Sequence, residues 1–238
     1  MRKDFNILIT GASRGIGHAI AKRIAKYAKN LYLTSRTEAS LNNSIADISK
    51  ECEGTIYQFA MDQAKGENAA KELSEWVNSI TDRIDILILC AGNYFEGNLC
   101  DISSREFDNS LNTNFIFNYY AAKAIVPMMK DSQFARIVII GSTAAYSAYS
   151  VPSYGVAKWA LRGLAVNLRQ ELSPDNIGVT FVSPGPVLTD MWADVDVPSG
   201  RILEPDDIAK VVCTIMELSP QAVMDEVIVR PMLGDYDG

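Results

Sequence analysis

A glycine-rich segment near the N-terminus constrains the fold more than any other part of the chain. Residues 10–17, Thr-Gly-Ala-Ser-Arg-Gly-Ile-Gly, follow an apolar run at 5–9 and precede apolar residues with helical spacing. This order predicts a strand, a tight loop and a helix. Glycine lets the backbone approach a ligand, and a helix start offers free N–H groups to a phosphate. Because the spacing differs from the common Gly-x-Gly-x-x-Gly fingerprint, a plain turn without a ligand remains an alternative.

Apolar runs and helical spacing alternate through the rest of the chain. The predicted strands cover residues 5–9, 31–34, 55–60, 84–90, 137–140, 179–182 and 226–229. Helix starts are predicted at Thr37, at the capping box Ser103-x-x-Glu106, at Ser153 and at Pro205. This alternation predicts a doubly wound α/β (Rossmann) sheet of about seven parallel strands with helices on both faces. We expect residues 1–238 to form a single domain.

Charge and cysteine content narrow the function. The chain has 22 lysines and arginines against 29 acids, a formal net charge of −7, and no long basic run. This balance argues against nucleic acid and membrane surfaces and favours a small-molecule partner. Cys52, Cys90, Cys100 and Cys213 lack metal-binding or disulfide spacing, and His18 is the only histidine. We therefore expect no metal site, and reduced thiols in a cytoplasmic protein.

The residues that end the predicted strands should share one edge of the sheet, where doubly wound proteins bind ligands. After the second strand, an NAD site usually has an acid that binds the adenosine ribose. This chain has Ser35 and Arg36 there, and Arg14 lies inside the glycine loop. Because arginine binds phosphate oxygens well, the pair predicts NADP rather than NAD. The alternative is that both arginines are ordinary solvated surface residues.

A tyrosine and a lysine with helical spacing are the candidate acid–base group. Tyr154 and Lys158 are four residues apart and so share one face of a helix, and a nearby cation favours the phenolate form of tyrosine. Ser142 ends a predicted strand and could return beside the phenol to donate to a substrate oxygen. Tyr154 and Lys158 could equally be an exposed helix pair, and Ser142 a simple cap.

Taken together, these segments resemble the short-chain dehydrogenase/reductase family over essentially the whole chain. The resemblance implies hydride transfer between nicotinamide and a carbonyl or alcohol carbon. Ser142, Tyr154 and Lys158 match its catalytic trio, and Asn114 matches an asparagine with a water-linked proton relay. Asp62 matches an acid that contacts adenine. The expected cofactor-binding residues are Gly11, Ser13, Arg14, Gly15, Ile16, Gly17, Arg36, Asp62, Ala91, Gly92, Tyr154, Lys158, Pro184, Gly185, Val187 and Thr189.

The chain departs from the family pattern in its middle motif, where Leu89 and Cys90 stand in place of two asparagines, and at Phe117, where a glycine is common. The family places a substrate lid at residues 189–204, and Tyr94, Phe95, Tyr146 and Tyr149 are expected to line the same cleft. We expect an NADP-dependent carbonyl or 3-oxoacyl type reductase that forms a homodimer or homotetramer. The alternative is a catalytically silent NADP(H)-binding sensor of the same fold, and a redox role of Cys90 stays open.

Overall fold

The computed structural model describes residues 4–193 and 195–236. Its strands are β1 (Phe5–Thr10), β2 (Ala28–Ser35), β3 (Thr55–Ala60), β4 (Ile86–Leu89), β5 (Ala135–Ile140), β6 (Ile177–Pro184) and β7 (Glu226–Val229). Its α-helices are α1 (Gly15–Ile24), α2 (Glu38–Ile48), α3 (Glu67–Asn78), α4 (Ser104–Leu111), α5 (Phe117–Ile125), α6 (Pro152–Leu172) and α7 (Pro205–Glu217).

The strands form one seven-stranded sheet in the order β3-β2-β1-β4-β5-β6-β7, and every pair is parallel. The chain therefore runs outward from β1 in one direction and then outward from β4 in the other, which confirms the predicted doubly wound fold. The carboxyl ends of β1 and β4 adjoin at the point where the direction reverses, and ligands bind at such points.

Two apolar cores cover the two faces of the sheet. Because side chains alternate along a strand, Ile7 and Ile9 of β1 face the core beneath α1, α2 and α7, whereas Leu8 faces the core beneath α3, α5 and α6. All three side chains are fully buried. Strands that are buried on both faces explain the nearly continuous apolar runs in the sequence.

The predicted helix starts hold with one exception. Thr37 caps α2, Ser103 and Glu106 form a complete capping box at α4, and Pro205 is the first residue of α7. The prediction that Ser153 caps α6 is wrong, because the helix begins one residue earlier at Pro152. Proline fits that first position, since its missing N–H has no partner there in any case.

The helix that begins after the capping box at Ser103 is interrupted. A π-helical turn, Asn112–Ile116, joins α4 to α5. Such turns insert one extra residue and occur often at functional sites. Among the described residues, none of the helices has both the length and the apolar character needed to cross a membrane.

Candidate active site

The glycine loop packs tightly against the end of β4. Gly11 has φ +72°, and a Cβ there would lie 2.9 Å from the Cα of Ala91, so only glycine fits without displacing backbone. The first turn of α1 has no acidic residue and no side-chain cap. Its N–H groups therefore stay available to an anion, and the positive end of the helix dipole favours one.

Thr10 joins the two central strand ends. Its hydroxyl oxygen accepts hydrogen bonds from the backbone N–H groups of Cys90 at 3.1 Å and Ala91 at 3.2 Å. This arrangement holds Ala91 and Gly92 directly beside the glycine loop. The glycine loop and the segment after β4 are therefore neighbours, as expected for strand ends at one edge of the sheet.

The two arginines of the predicted 2′-phosphate site differ in their surroundings. Arg14 Nη1 donates to Asp190 Oδ2 at 2.8 Å, and the two side chains are 60% and 63% exposed. Arg36 is exposed and makes no ion pair with any described residue. Asp62 follows β3 and accepts from the N–H of Ala64 at 3.1 Å. The binding of a 2′-phosphate by the two arginines stays a prediction. In this structure Arg14 forms an ion pair with Asp190, in the segment after β6.

That segment lies against the glycine loop as well. Val187, three residues beyond the end of β6, forms an isolated parallel bridge with Leu203. Thr189 caps a short 3-10 turn, and its Cγ2 lies 3.1 Å from the Cβ position of Gly15. The proposed lid thus begins in contact with the loop, although residue 194 lies outside the described part of the chain.

Tyr154, Lys158 and Ser142 come together as predicted from their spacing. Lys158 is 4% exposed, and its Nζ lies 5.3 Å from the ring centroid of Tyr154. The same Nζ donates to the carbonyl of Ile140 at 3.4 Å. Ser142 lies close enough to Tyr154 to lower the pKa of the phenol, and its hydroxyl oxygen accepts from the N–H of Ala144 at 3.1 Å. A phenol, an ammonium and a hydroxyl therefore share the end of β5.

Burial decides the protonation of these groups. It raises the pKa of Tyr154 above its ordinary value, and the hydrogen bond from Ser142 only partly opposes this effect. The net shift of the phenol pKa is therefore upward, and the expectation that the charge of Lys158 favours the phenolate stays a prediction. Burial also lowers the pKa of Lys158 to about 8. At neutral pH the phenol is protonated and most of the lysine carries its charge.

Cys90 lies near the same lysine. Burial raises the pKa of its thiol to about 12, and the positive charge of Lys158 only partly offsets that effect. Since the thiolate is the reactive form of cysteine, a raised pKa disfavours reaction of this thiol at neutral pH. This environment favours the interpretation of Cys90 as a small packing residue.

Asn114 lies in the π-helical turn and is fully buried. Its Nδ2 donates to the carbonyl of Asn93 at 3.0 Å, to Asn93 Oδ1 at 2.8 Å and to the carbonyl of Ser110 at 3.0 Å. A Cβ on Gly92 would lie 3.0 Å from Asn114 Oδ1 and 3.8 Å from Lys158 Nζ. Asn114 therefore sits near the tyrosine–lysine pair, where the resemblance places it.

Sequence reasoning missed the other asparagines around this turn. Asn93 Nδ2 donates to Asn109 Oδ1 at 2.7 Å and to Thr113 Oγ1 at 3.0 Å, so it ties the loop after β4 to α4. The available signal was composition: four asparagines occur between residues 109 and 118, within an otherwise helical pattern. Asparagine disfavours helix interiors, which indicates that these side chains have specific partners.

Two of the four predicted aromatic cleft residues flank the phenol. The ring centroids of Tyr94 and Tyr149 lie 5.5 Å and 5.6 Å from that of Tyr154. The place of Tyr146 in the cleft stays a prediction. Its hydroxyl donates to Glu226 Oε2 at 3.1 Å, and the guanidinium of Arg162 lies 4.2 Å from its ring centroid. These charged partners lie on β7 and α6.

The fold and the strand-end residues define a class: a Rossmann-like protein with a glycine loop and a tyrosine–lysine pair at the same edge of its sheet. The family model described as short chain dehydrogenase matches residues 6–198. The chain therefore belongs to the short-chain dehydrogenase family. Its relatives in this family include reductases, so the chain belongs to a family of oxidoreductases.

Individual relatives agree with this assignment. A protein of Chlorobaculum tepidum named sepiapterin reductase is 32% identical over 240 residues, which cover 96% of this chain and 97% of that protein. A structure of a metagenomic short-chain oxidoreductase in complex with NADP matches with a TM-score of 0.81 and 30% identity, covering 95% of this chain and 96% of that one. An alcohol dehydrogenase from Thermococcus sibiricus, complexed with 5-hydroxy-NADP, has a TM-score of 0.86 at 24% identity and covers 98% of both chains, which shows the fold alone.

Proposed function

We propose that this protein is an NADP-dependent oxidoreductase that transfers hydride between nicotinamide and a carbonyl or alcohol substrate. The observation that carries the proposal is the arrangement of Tyr154, Lys158 and Ser142 at the end of β5, on the same sheet edge as the glycine loop. The phenol is half-buried and its pKa is raised, so it is protonated at neutral pH, which is the state that a proton donor for carbonyl reduction needs.

The residues present fit a dinucleotide. Gly11 lets the loop pack against the end of β4, where a Cβ would lie 2.9 Å from the Cα of Ala91, and the first turn of α1 keeps its N–H groups free. The proposed binding set is the one inferred from the sequence, with the glycine loop at the pyrophosphate, Asp62 at the adenine, and Lys158 with the segment 184–189 at the nicotinamide end. NADPH, when bound, would supply the hydride for carbonyl reduction, and NADP+ would accept it from an alcohol; the metagenomic relative at 30% identity was crystallised with NADP.

The protein side chains then have separate tasks. Tyr154 donates a proton to the substrate oxygen as the carbonyl carbon receives hydride, and Ser142 donates a hydrogen bond to the same oxygen. Lys158 carries a positive charge beside the phenolate that proton donation leaves. Asn114 is proposed to support the return of a proton to Tyr154 through water.

The substrate proposal is a carbonyl or 3-oxoacyl type compound. Tyr94 and Tyr149 place aromatic surfaces beside the phenol, so a conjugated or apolar group next to the carbonyl would find partners there. Because the Chlorobaculum relative is named sepiapterin reductase, sepiapterin belongs in the test panel. The panel also contains aryl ketones, aliphatic aldehydes and 3-oxoacyl thioesters.

The test compares wild type with Tyr154→Phe, which keeps the ring but removes the acidic proton. NADPH oxidation is followed with the substrate panel, and the dissociation constant of NADPH is measured for both proteins. We expect kcat to fall by roughly 10²–10⁴-fold, with NADPH affinity within about threefold of wild type. Tyr57→Phe is the matched control, because Tyr57 stacks on Tyr32 away from the cleft, 5.1 Å between ring centroids. Tight NADPH binding by a wild type that reduces no carbonyl would instead support the silent sensor.

The preference for NADP has its own experiment. NADPH and NADH are titrated into wild type and Arg36→Asp, with Arg105→Asp, an exposed arginine on α4, as control. We expect Arg36→Asp to lose on the order of tenfold or more in NADPH affinity, because the substitution replaces a cation with an anion next to the 2′-phosphate. A wild type that prefers NADH would contradict the proposed role of Arg14 and Arg36.

We further propose a single domain with a lid at 189–204, a cytoplasmic location and a homodimer or homotetramer. All four cysteines are free thiols, which suits a reducing compartment. Tyr119 on α5 and three residues of α6, Val156, Trp159 and Val166, are apolar and between 41% and 55% exposed. Burial of these helix faces against a second copy would explain them, and light scattering measures the assembly directly.

A further inference from the structure

The π-helical turn between α4 and α5 leaves one backbone carbonyl without its usual partner. The N–H of Phe117 donates to the carbonyl of Asn112, one residue further back than in an α-helix. In a regular α-helix this N–H would reach the carbonyl of Thr113. Since Thr113 is 7% exposed, water has little access to its backbone.

Asn118 supplies the missing donor. Its Nδ2 donates to the carbonyl of Thr113 at 3.2 Å and to the carbonyl of Asn114 at 3.0 Å. Asn118 is 1% exposed, and its Oδ1 is buried with no hydrogen-bond partner in the described chain. A leucine of similar size would fill this space without a buried, unpaired oxygen. Burying the Asn118 amide therefore costs free energy relative to leucine, and the two hydrogen bonds that the amide donates offset this cost.

The same turn fixes the orientation of Asn114. The Asn114 side chain reaches Asn93 and Ser110 from within the turn and ends next to Gly92, close to Lys158. Removing the extra residue of the turn would rotate each following position by about 100° relative to the preceding helix, as 3.6 residues per turn require. The side-chain direction of Asn114 thus depends on the turn keeping its π-helical hydrogen bonds.

We propose that Asn118 is a positioning residue for the active site. Its amide stabilises the π-helical turn by donating to the carbonyls of Thr113 and Asn114, and so holds Asn114 beside Gly92 and Lys158. The inference rests on the proposed function only in assigning Asn114 a part in the reaction; the structural role of Asn118 in the turn is independent of it.

The experiment replaces Asn118 with leucine, which keeps the volume and removes both donors, and with serine, whose hydroxyl can donate to the carbonyl four residues earlier. Asn167→Leu is the matched control, because Asn167 Nδ2 also donates to the carbonyl four residues earlier, that of Gly163 at 2.8 Å, but on the exposed face of α6. We expect Asn118→Leu to lower kcat roughly 10²-fold, with KM and NADPH affinity within about threefold, as for a small misplacement of a reacting group. Serine should restore part of the loss, and Asn167→Leu should match wild type.

A double-mutant cycle with Asn114→Ala separates positioning from a general structural role. If Asn118 acts through Asn114, adding Asn118→Leu to Asn114→Ala lowers kcat by less than about threefold further. If the double variant instead loses kcat by the product of the two single-variant losses, the proposal is overturned.

Amide hydrogen exchange of the peptide covering residues 109–120 gives a readout besides turnover. We expect faster exchange in this peptide for Asn118→Leu and unchanged exchange for Asn167→Leu, because only the former loses donors to the π-helical turn. Unchanged exchange in Asn118→Leu would overturn the role in the turn. A wild type without turnover would refute the proposed function, and the exchange result would still decide whether Asn118 holds the turn.

Discussion

Lys158 should destabilise the native state at neutral pH, so its replacement by methionine is expected to give a more stable and inactive protein. The side chain is 4% exposed, and the one hydrogen bond of its Nζ to a described residue is the 3.4 Å contact with the carbonyl of Ile140. No carboxylate pairs with it in the described residues. Methionine has a similar length and no charge.

The magnitude follows from the pKa of Lys158. Burial lowers this pKa from 10.5 to about 8, and each tenfold change in an acid constant corresponds to about 1.4 kcal/mol. The buried charge therefore costs about 3 kcal/mol at pH 7. Losing the hydrogen bond to Ile140 offsets about 1 kcal/mol of that gain. Lys158→Met should raise the free energy of unfolding at pH 7 by about 2 kcal/mol.

The sign of the pH dependence is fixed by the same values. Between the folded pKa of about 8 and the ordinary value of 10.5, the unfolded chain binds more protons than the native state. Wild-type stability from this group therefore rises with pH across that range. The advantage of Lys158→Met should shrink by about 2 kcal/mol between pH 7 and pH 9.5.

Urea unfolding at both pH values, at one protein concentration and without added nucleotide, measures the difference, with tryptophan fluorescence as the signal. Lys71→Met is the control, because the Lys71 side chain is 75% exposed on α3; its effect should stay within about 0.5 kcal/mol. A Lys158→Met protein less stable than wild type at pH 7, or an advantage that does not shrink with pH, would refute the reasoning.

Two further substitutions test the edges of the site. Gly11→Ala forces φ +72° on alanine and places a Cβ 2.9 Å from the Cα of Ala91, so calorimetry should show at least about tenfold weaker NADPH binding, while Gly163→Ala, with nothing within 4 Å, should not. Equal nucleotide affinity of the two variants would contradict the proposed cradle. Ser142→Ala removes a donor to the substrate oxygen and the cap on Ala144, so steady-state kinetics should show kcat roughly 10²–10³-fold lower, with stability reduced by about 1 kcal/mol and NADPH affinity unchanged. A matching loss of NADPH affinity would place Ser142 in cofactor binding instead.

The sequence could predict which segments meet, because a parallel sheet topology determines where the strand ends lie. Once strands and helices alternate, every strand carboxyl end lies at the same edge, so Gly11, Ser142 and Tyr154 converge without any knowledge of their contacts. Helix caps were predictable for a similar reason, since a capping box is a local interaction of four residues. Ser153 failed because serine and proline both favour helix starts, and the proline took the first position.

Contacts across long separations were not predictable in the same way. The ion pair of Arg14 and Asp190 spans 176 positions, and no local pattern specifies it. The π-helical turn inserts one residue, which changes the apolar periodicity too little to be read from sequence. The partners of Tyr146 are a further example: its hydroxyl donates to Glu226, 80 positions later, and the guanidinium of Arg162 lies over its ring.

The protonation of the candidate acid–base pair shows why residue spacing alone misleads about chemistry. Two groups one helical turn apart suggest a cation that draws the proton from the phenol, but burial acts on both members and disfavours charge on each. It raises the pKa of Tyr154 and lowers that of Lys158 to about 8, so the ammonium gives up its proton before the phenol does. For the proposed reduction this order is useful. The phenol keeps the proton that it must donate, and the lysine charge gains its partner only when donation leaves a phenolate beside it. The energetic cost of burying Lys158 in the resting protein is then recovered, in part, at the step where negative charge develops.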